Sequence, residues 1–467
     1  MPLNEKKLYY IYLLIILGFL YSCFVGFKYL EKYDVVDNKK LINPYFFAKE
    51  GGTPTFWHEA HNIKTNIKKK GYLKSGYKYE FEYLPSKLIF LYYKIINEDI
   101  KVYDVSLKKE VFKINNKKFG LIIFQNLIYY FSVLYLFLNV KKFFTNDLIF
   151  FISLILFICF EPTINQWNRV LFSESILFSI QLLIISILFN YKETNRTKAL
   201  ILGFLISMMY LQRSVSIFYI SIIFFYFAIF FRKNFVNDFA IIISLYLFTH
   251  LFLGFHNLKK DGAFYSVPLL QKEDLYGYFI PKIIKYNKDP LFHKNFVTRH
   301  DSLDNFVRLN NLKSEQDIQI NDRLTIANVN MDKAIRLIYE YPIASLKEYL
   351  ISCAHFFLLK PNEIHFLFEN NISYEDNFYL SEKFQKEKLL KIFYSIFIYL
   401  ISFFGLIFFV INKLFHSLFI LTSSILYFSI PVVWHTQSSY LGSILIYLSI
   451  FFSAGLLQVK NMLKIKK

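Results

Sequence analysis

The strongest constraint on this chain is a series of apolar runs, most of them roughly 15–23 residues long. A helix rising about 1.5 Å per residue needs that length to cross a hydrocarbon core of about 30 Å. The best runs are Leu8–Leu30, Phe119–Val140, Leu148–Phe160, Val170–Asn190, Ala199–Gln212, Ser214–Phe231, Phe239–Phe255, Leu389–Val410, Leu414–Ile430 and Ser439–Leu457. They predict an all-α polytopic membrane protein with about 10–11 transmembrane helices. Hydrophobic residues make up 55% of the 467, more than a soluble domain usually carries. Many of the 36 Tyr lie near the ends of apolar runs, as in an interfacial belt. The wealth of Phe, Ile, Lys and Asn also fits the coding bias of an AT-rich genome, so no aromatic stripe is read as a stacking platform. The first run is too long for a signal-peptide core and no small-residue cleavage site follows it, which predicts a retained helix.

Loop charge orients these spans. With Lys6 and Lys7 in the cytoplasm, the inner connections hold Lys141 and Lys142, then Lys192, Arg196 and Lys198, then Arg232 and Lys233, then Lys413. The tail adds Lys460, Lys464, Lys466 and Lys467. Each inner connection is basic, so both termini are expected in the cytoplasm, the chain lying in the cell inner (plasma) membrane. Two long polar segments, 31–118 and 256–388, then fall on the non-cytoplasmic face. They divide the chain into an N-terminal transmembrane module (1–255), an outer segment (256–388), and C-terminal helices with a basic tail (389–467). Within the outer segment, 343–359 is apolar enough to touch the membrane. A full crossing there would invert the last three spans, so an amphipathic or re-entrant helix is expected. Ser86–Ile96 suggests a second interfacial helix. The short runs on either side of Arg213 read as a hairpin, because a charge in the middle of one lipid-buried helix is costly.

The net charge of +19 has a bland source in this topology and in contacts to anionic lipid heads. A sharper source is an anionic substrate such as a lipid phosphate. The basic residues are scattered between spans and form no single soluble basic face, which argues against nucleic acid. Cys23, Cys159 and Cys353 lie in apolar runs with no second ligand at metal spacing, which argues against a disulfide framework or a Cys zinc site. Gly-rich phosphate loops, His-Glu-x-x-His and Gly-x-Ser-x-Gly are absent from the sequence.

The polar residues that a bundle does not need for its own sake collect on the outer side. Glu59, in Trp57-His58-Glu59-Ala60, opens a stretch with helical spacing through Ile63 and Ile67 to Gly71. A carboxylate there could take a proton from an acceptor hydroxyl, or simply favour a helix N-terminus. Asp34 and Asp37, just after the first span, compete for the same role, and His58 is a weaker candidate. Pro162 is expected to end the third span. Ser173-Glu174 then suits the N-terminus of the fourth, with Arg169 close enough to pair with Glu174 or to neutralise a phosphate. Arg213 needs a partner between two apolar runs, and a phosphate oxygen suits its fork, although a snorkelling Arg is the plainer reading. His435, after Trp434, could bond a sugar or phosphate, or sit as an interfacial pair. Arg299, His300, Arg308 and Arg323 lie among carboxylates and look like a mixed, solvated surface.

The layout resembles the GT-C superfamily of membrane glycosyltransferases, which includes protein O-mannosyltransferases and aminoarabinose transferases. The resemblance rests on an acidic outer segment directly after the first helix, with His58-Glu59 to Gly71-Tyr72 preceding Tyr83-Leu84-Pro85-Ser86-Lys87-Leu88-Ile89-Phe90-Leu91. It also rests on Ser173-Glu174-Ser175-Ile176-Leu177 at the head of a span, on Leu211-Gln212-Arg213, and on Ala334 to Pro342 before an apolar helix. It covers most of the chain diffusely, and the family's Asp-rich motif after the first span is not matched. It implies a GT-C-like bundle and a sugar donor on a polyprenyl phosphate, with a glycan or protein acceptor. Glu59, Asp34 or Asp37 would act as the base, and Arg169, Glu174, Arg213, His435 and His58 would bind substrate. Arg alone can receive such a leaving group, so neither metal nor cofactor is required. The alternatives are an O-antigen-type polymerase or ligase, and a transporter or lipid flippase.

Overall fold

The computed structural model describes residues 5–33, 83–97, 116–142, 144, 147–169, 173–191, 195–231, 235–267, 275–284, 299–312, 318–359, 382–430 and 438–465. All the regular elements among them are helical. In order they are α1 (Glu5–Tyr33), α2 (Tyr83–Ile95), α3 (Asn116–Val140), α4 (Leu148–Phe160), α5 (Pro162–Arg169), α6 (Ser173–Phe189) and α7 (Arg196–Gln212). A 3₁₀ turn (Ser214–Phe218) leads to α8 (Tyr219–Phe230) and α9 (Phe235–Asp261). Next come a π-helical turn (Leu275–Phe279), α10 (Ile280–Ile284), α11 (Arg299–Leu309), α12 (Ile320–Glu340) and α13 (Pro342–Leu359). The chain closes with α14 (Glu382–Ile411), α15 (Phe415–Ser429) and α16 (Ser438–Ile465).

Among the described residues the apolar runs fall on these helices, with Ser214–Phe231 divided between the 3₁₀ turn and α8. Among the described residues five helices are long and apolar enough to cross a membrane: Leu8–Phe27, Gly120–Val140, Val236–Lys259, Leu389–Ile411 and Tyr440–Lys464. Four shorter apolar helices pack among them: Leu148–Phe160, Glu174–Phe189, Ser214–Phe230 and Phe415–Ser429. The chain is an all-α polytopic membrane protein. Exposed Leu, Ile and Phe cover the outside of α1, α9 and α14, as a lipid-facing surface requires. The centre is α16, buried for most of its length between α14, α4, α6 and α15. Its approach to α14 is glycine-limited, since a Cβ on Gly405 would stand 1.8 Å from the Phe451 carbonyl oxygen, and one on Gly455 1.8 Å from that of Ile401. Small residues let two backbones meet where lipid gives no hydrophobic drive.

The basic connections gather at one end of the bundle. Lys460 Nζ near the end of α16 bonds Asp147, the N-cap of α4, and Phe144 packs on Phe408 and Phe409 at the end of α14. Lys198 Nζ donates to the Asn190 carbonyl at 2.7 Å, and Tyr191 bonds Asp238 at the start of α9. Phe230 and Phe231 stack around His416 at the start of α15. The loops bearing Lys141, Lys198 and Lys413 therefore share one side with the C-terminal tail, the arrangement read from loop charge. Tyr226 OH reaches the Leu188 carbonyl on that same side, so the chain climbs through α7, reverses at Arg213 and descends through α8. The expected reversal at Arg213 is what the fold contains.

Two local expectations are revised. Pro162 does not merely end a span, because it also opens α5, with the Glu161 carboxylate accepting the Ile164 N–H at 2.8 Å as a helix cap. Arg323 is not part of a solvated surface: it is 2% exposed, on the face of α12 that packs through Ile320 and Ala327 against Ala263 and Tyr265. The charge pattern around Arg323 could not show that the segment after α9 folds back over it.

Candidate functional site

At the end of the bundle opposite the basic connections, α7 stops at Gln212 and the backbone of Arg213 turns extended (φ −147°, ψ 111°). The Arg213 N–H still closes α7 on the Met209 carbonyl at 3.0 Å, and its own carbonyl accepts the Ser216 N–H at 2.9 Å. One residue thus ends a helix and starts the 3₁₀ turn. Two tyrosines fix that turn from neighbouring helices. Tyr427 OH of α15 donates to the Val215 carbonyl at 2.5 Å and accepts the Phe218 N–H at 3.0 Å. Tyr246 OH of α9 donates to the Ile217 carbonyl.

The Arg213 side chain, 8% exposed, places Nη2 3.2 Å from Oε1 of Glu174, which is fully buried in the first turn of α6. The Tyr440 ring of α16 covers the guanidinium at 5.7 Å from its carbon. Glu174 and Tyr440 both lie in the opening turns of their helices, so two helix N-termini converge on the guanidinium. Partial positive charge from those termini adds to the arginine. The Glu174 carboxylate offsets it, with a Coulomb attraction of about 5 kcal/mol at an effective dielectric of about 20. The snorkelling alternative for Arg213 fails, because the guanidinium points into the protein.

The short α5 that precedes this site is strapped from several sides. Ser22 of α1 donates to Asn165 Oδ1 at 2.6 Å and bonds Tyr130 OH at 2.8 Å, while Asn165 Nδ2 donates to the Cys159 carbonyl at 2.7 Å. Gln125 and Asn126 of α3 both donate to the Asn168 carbonyl, at 3.0 and 2.8 Å, satisfying a carbonyl at the helix end. Tyr394 OH of α14 donates to Glu161 Oε1 at 3.3 Å. Glu161 lies just beyond α4, and burial pushes its carboxyl up to about 7 despite the bonds it accepts from Ile164, Thr163 and Tyr394.

Of the residues singled out in the sequence, the structure joins Glu174 to Arg213. The sequence offered Arg169 as a partner of Glu174 or of a phosphate; the structure places Arg213 against the carboxylate, and the Arg169 side chain lies outside what is described. Arg169 is the last residue of α5. Asp34, Asp37, His58, Glu59 and His435 lie outside the described residues. Tyr440, Tyr427 and Tyr246 were not singled out, and nothing in their local sequence distinguishes them from the many other tyrosines, whereas Glu161, flanking the same turn as Arg169 and Glu174, was legible as an acid directly before a proline at the end of an apolar run. Among the described residues no cluster of three His, Cys, Asp or Glu side chains could hold a metal ion.

This architecture has a solved counterpart. The archaeal oligosaccharyltransferase AglB from Archaeoglobus fulgidus, solved in complex with an inhibitory peptide and a dolichol-phosphate, superposes over 99% of the chain with a TM-score of 0.52 and 13% identity. The fold resembles that of an oligosaccharyltransferase. At this identity the likeness concerns the fold alone, and the chain spans about half (52%) of that protein's length. No family model matches the sequence, and no curated protein matches it.

Proposed function

We propose that this chain is a membrane glycosyltransferase of the GT-C type, moving a sugar from a polyprenyl-phosphate-linked donor to a glycolipid, polysaccharide precursor or protein on the non-cytoplasmic face. The observation that carries the reading is Arg213. It is a cation held inside the protein at the end of the bundle, between two helix N-termini, where a lipid phosphate at the membrane surface arrives. A bundle similar in fold to an oligosaccharyltransferase supports it. The position of Arg213 at a helix break, away from mid-span, favours a transferase over a transporter or flippase, which would carry charge midway across.

In this reaction the acceptor oxygen attacks the anomeric carbon while the bond from that carbon to the phosphate oxygen breaks. A single displacement inverts the anomeric configuration. Glu59, with Asp34 or Asp37 as alternatives, takes the hydroxyl proton. Arg213 and Arg169 receive the charge that develops on the departing lipid phosphate. Glu174, His435 and His58 complete the substrate contacts, and the chain sits in the plasma membrane with both termini cytoplasmic.

The test uses the full chain in nanodiscs with a panel of radiolabelled polyprenyl-phosphate and polyprenyl-diphosphate sugars, assayed with membrane-derived acceptors. Sugar transfer by the wild type, lost in Glu59→Gln or Asp34→Asn and in Arg213→Ala at normal expression, is the expected result. Full activity in all three variants overturns the site assignment, and no transfer from any donor overturns the reading.

A further inference from the structure

We propose that Glu174 is the resident anion of the Arg213 site and discriminates between the incoming donor and the outgoing lipid phosphate. The inference rests on the reading that Arg213 meets a lipid phosphate, and it assigns Glu174 a role beyond contact.

The geometry supplies the first part. Glu174 is fully buried and its carboxylate is 3.2 Å from the guanidinium, so the pair as a whole is neutral. The carboxylate cannot be carried away by a loop, because α6 is packed against α3, α7 and α16. Only side-chain rotation moves it, and the first-turn position on α6 favours its charged form. An anion binding to Arg213 must therefore sit beside Glu174 or turn it aside, and Glu174 returns to the same cation when the anion leaves.

The hydroxyls around the pair supply the second part. Some buried serines of the bundle return their O–H to a carbonyl four residues back, as Ser179 does to Ser175, Ser186 to Leu182 and Ser453 to Ser449, whereas Ser207, Ser395, Ser402 and Ser443 make no hydrogen bond. Ser175, next to Glu174, has no such bond, and neither do Ser214 and Ser216 in the turn that begins at Arg213. All three are at most 3% exposed. Buried O–H groups without acceptors are costly, and phosphate oxygens are acceptors.

Charge arithmetic gives the consequence. A lipid-phosphate sugar is a phosphodiester with one negative charge. After transfer the lipid phosphate is a monoester whose second proton leaves near pH 6, so it approaches two charges at neutral pH. Counting Arg213 and an ionised Glu174 alone, the donor brings the group to a net charge of −1 and the product to nearly −2; Arg169 would raise both by one and leave the difference. The carboxylate penalises the product more than the donor and so drives product release.

The experiment compares inhibition by polyprenyl phosphate with KM for the donor, in nanodiscs, for wild type, Glu174→Gln and Glu174→Asp. In Glu174→Gln the product is expected to bind about tenfold or more tightly relative to donor, with a lower kcat. Glu174→Asp keeps the charge and is expected to keep the wild-type ratio. In wild type the monoester's second charge gains from Arg213 and loses to Glu174, so the ratio is expected to change with pH around 6 less steeply than in Glu174→Gln, where only the gain remains. An unchanged ratio in Glu174→Gln, or the same pH dependence in both proteins, overturns the proposal. A purely structural role for Glu174 would lower stability without moving the ratio. Should polyprenyl phosphate inhibit wild type and Arg213→Gln equally, the parent reading fails, and that result is separate from the Glu174 outcome.

Discussion

Arg213 and Glu174 form a buried ion pair, 3.2 Å between Nη2 and Oε1, across two helices that run in opposite directions. Removing one partner leaves an uncompensated charge in the protein, which costs about 3–5 kcal/mol, whereas removing both is far less harmful. Arg213→Gln alone is expected to unfold readily in detergent, and Arg213→Gln combined with Glu174→Gln to regain most of the lost melting temperature without regaining sugar transfer. A double variant as unstable as the single one would contradict the pairing.

Gly405 and Gly455 set the distance between α14 and α16. A methyl at either position collides with a backbone carbonyl and not with a side chain that could turn aside. Gly405→Ala and Gly455→Ala are each expected to cost about 1–3 kcal/mol, with leucine at either position preventing assembly. Thermal unfolding in nanodiscs reads the difference. Variants as stable as wild type would show that the helices are further apart.

Glu161 makes stability depend on pH. Burial raises its folded-state pKa to about 7, above the ordinary carboxylate value of 4.5. The stability tied to its neutral form is complete below about pH 4.5 and is lost as pH rises through about 7, an effect on the order of 3 kcal/mol. Melting temperatures measured from pH 5 to 8 should fall in wild type and stay flatter in Glu161→Gln. Parallel curves would remove Glu161 as the cause.

Tyr427 holds the turn after Arg213 through its hydroxyl alone, accepting from Phe218 and donating to Val215. Tyr427→Phe keeps the ring and loses both bonds, at a stability cost of about 1–2 kcal/mol. Transfer activity should fall further than that loss explains, because the guanidinium is released with the turn. Unchanged kcat in a folded Tyr427→Phe enzyme would show that the turn is held by packing alone.

Sidedness is open to direct labelling. In a cysteine-free background, Arg196→Cys and Lys413→Cys should react with a membrane-impermeant maleimide only from the cytoplasmic side, and Tyr339→Cys only from the other. Labelling of Arg196→Cys and Lys413→Cys from opposite sides would break the shared basic end seen in the bundle.

Much of this architecture is written locally. The length of an apolar run and the sign of the charge beside it depend on neighbouring residues, so the spans, the reversal at Arg213 and the grouping of Lys141, Lys198 and Lys413 could all be read from the chain. The start of α6 at Ser173-Glu174 was legible for the same reason, since capping is a property of a few consecutive residues. The extra helix opened by Pro162 was missed because a proline breaks one helix and starts another with equal ease.

The sequence by itself determined where the apolar helices fall and which connections share one end of the bundle, because a bilayer imposes one length and one polarity on every span. Only the tertiary structure decided that Glu174 meets Arg213, that Tyr440 covers the guanidinium, and that Arg323 is enclosed. Those outcomes depend on which helices become neighbours. That is settled by the fit of distant surfaces, such as Gly405 against Phe451, and no run of adjacent residues encodes it.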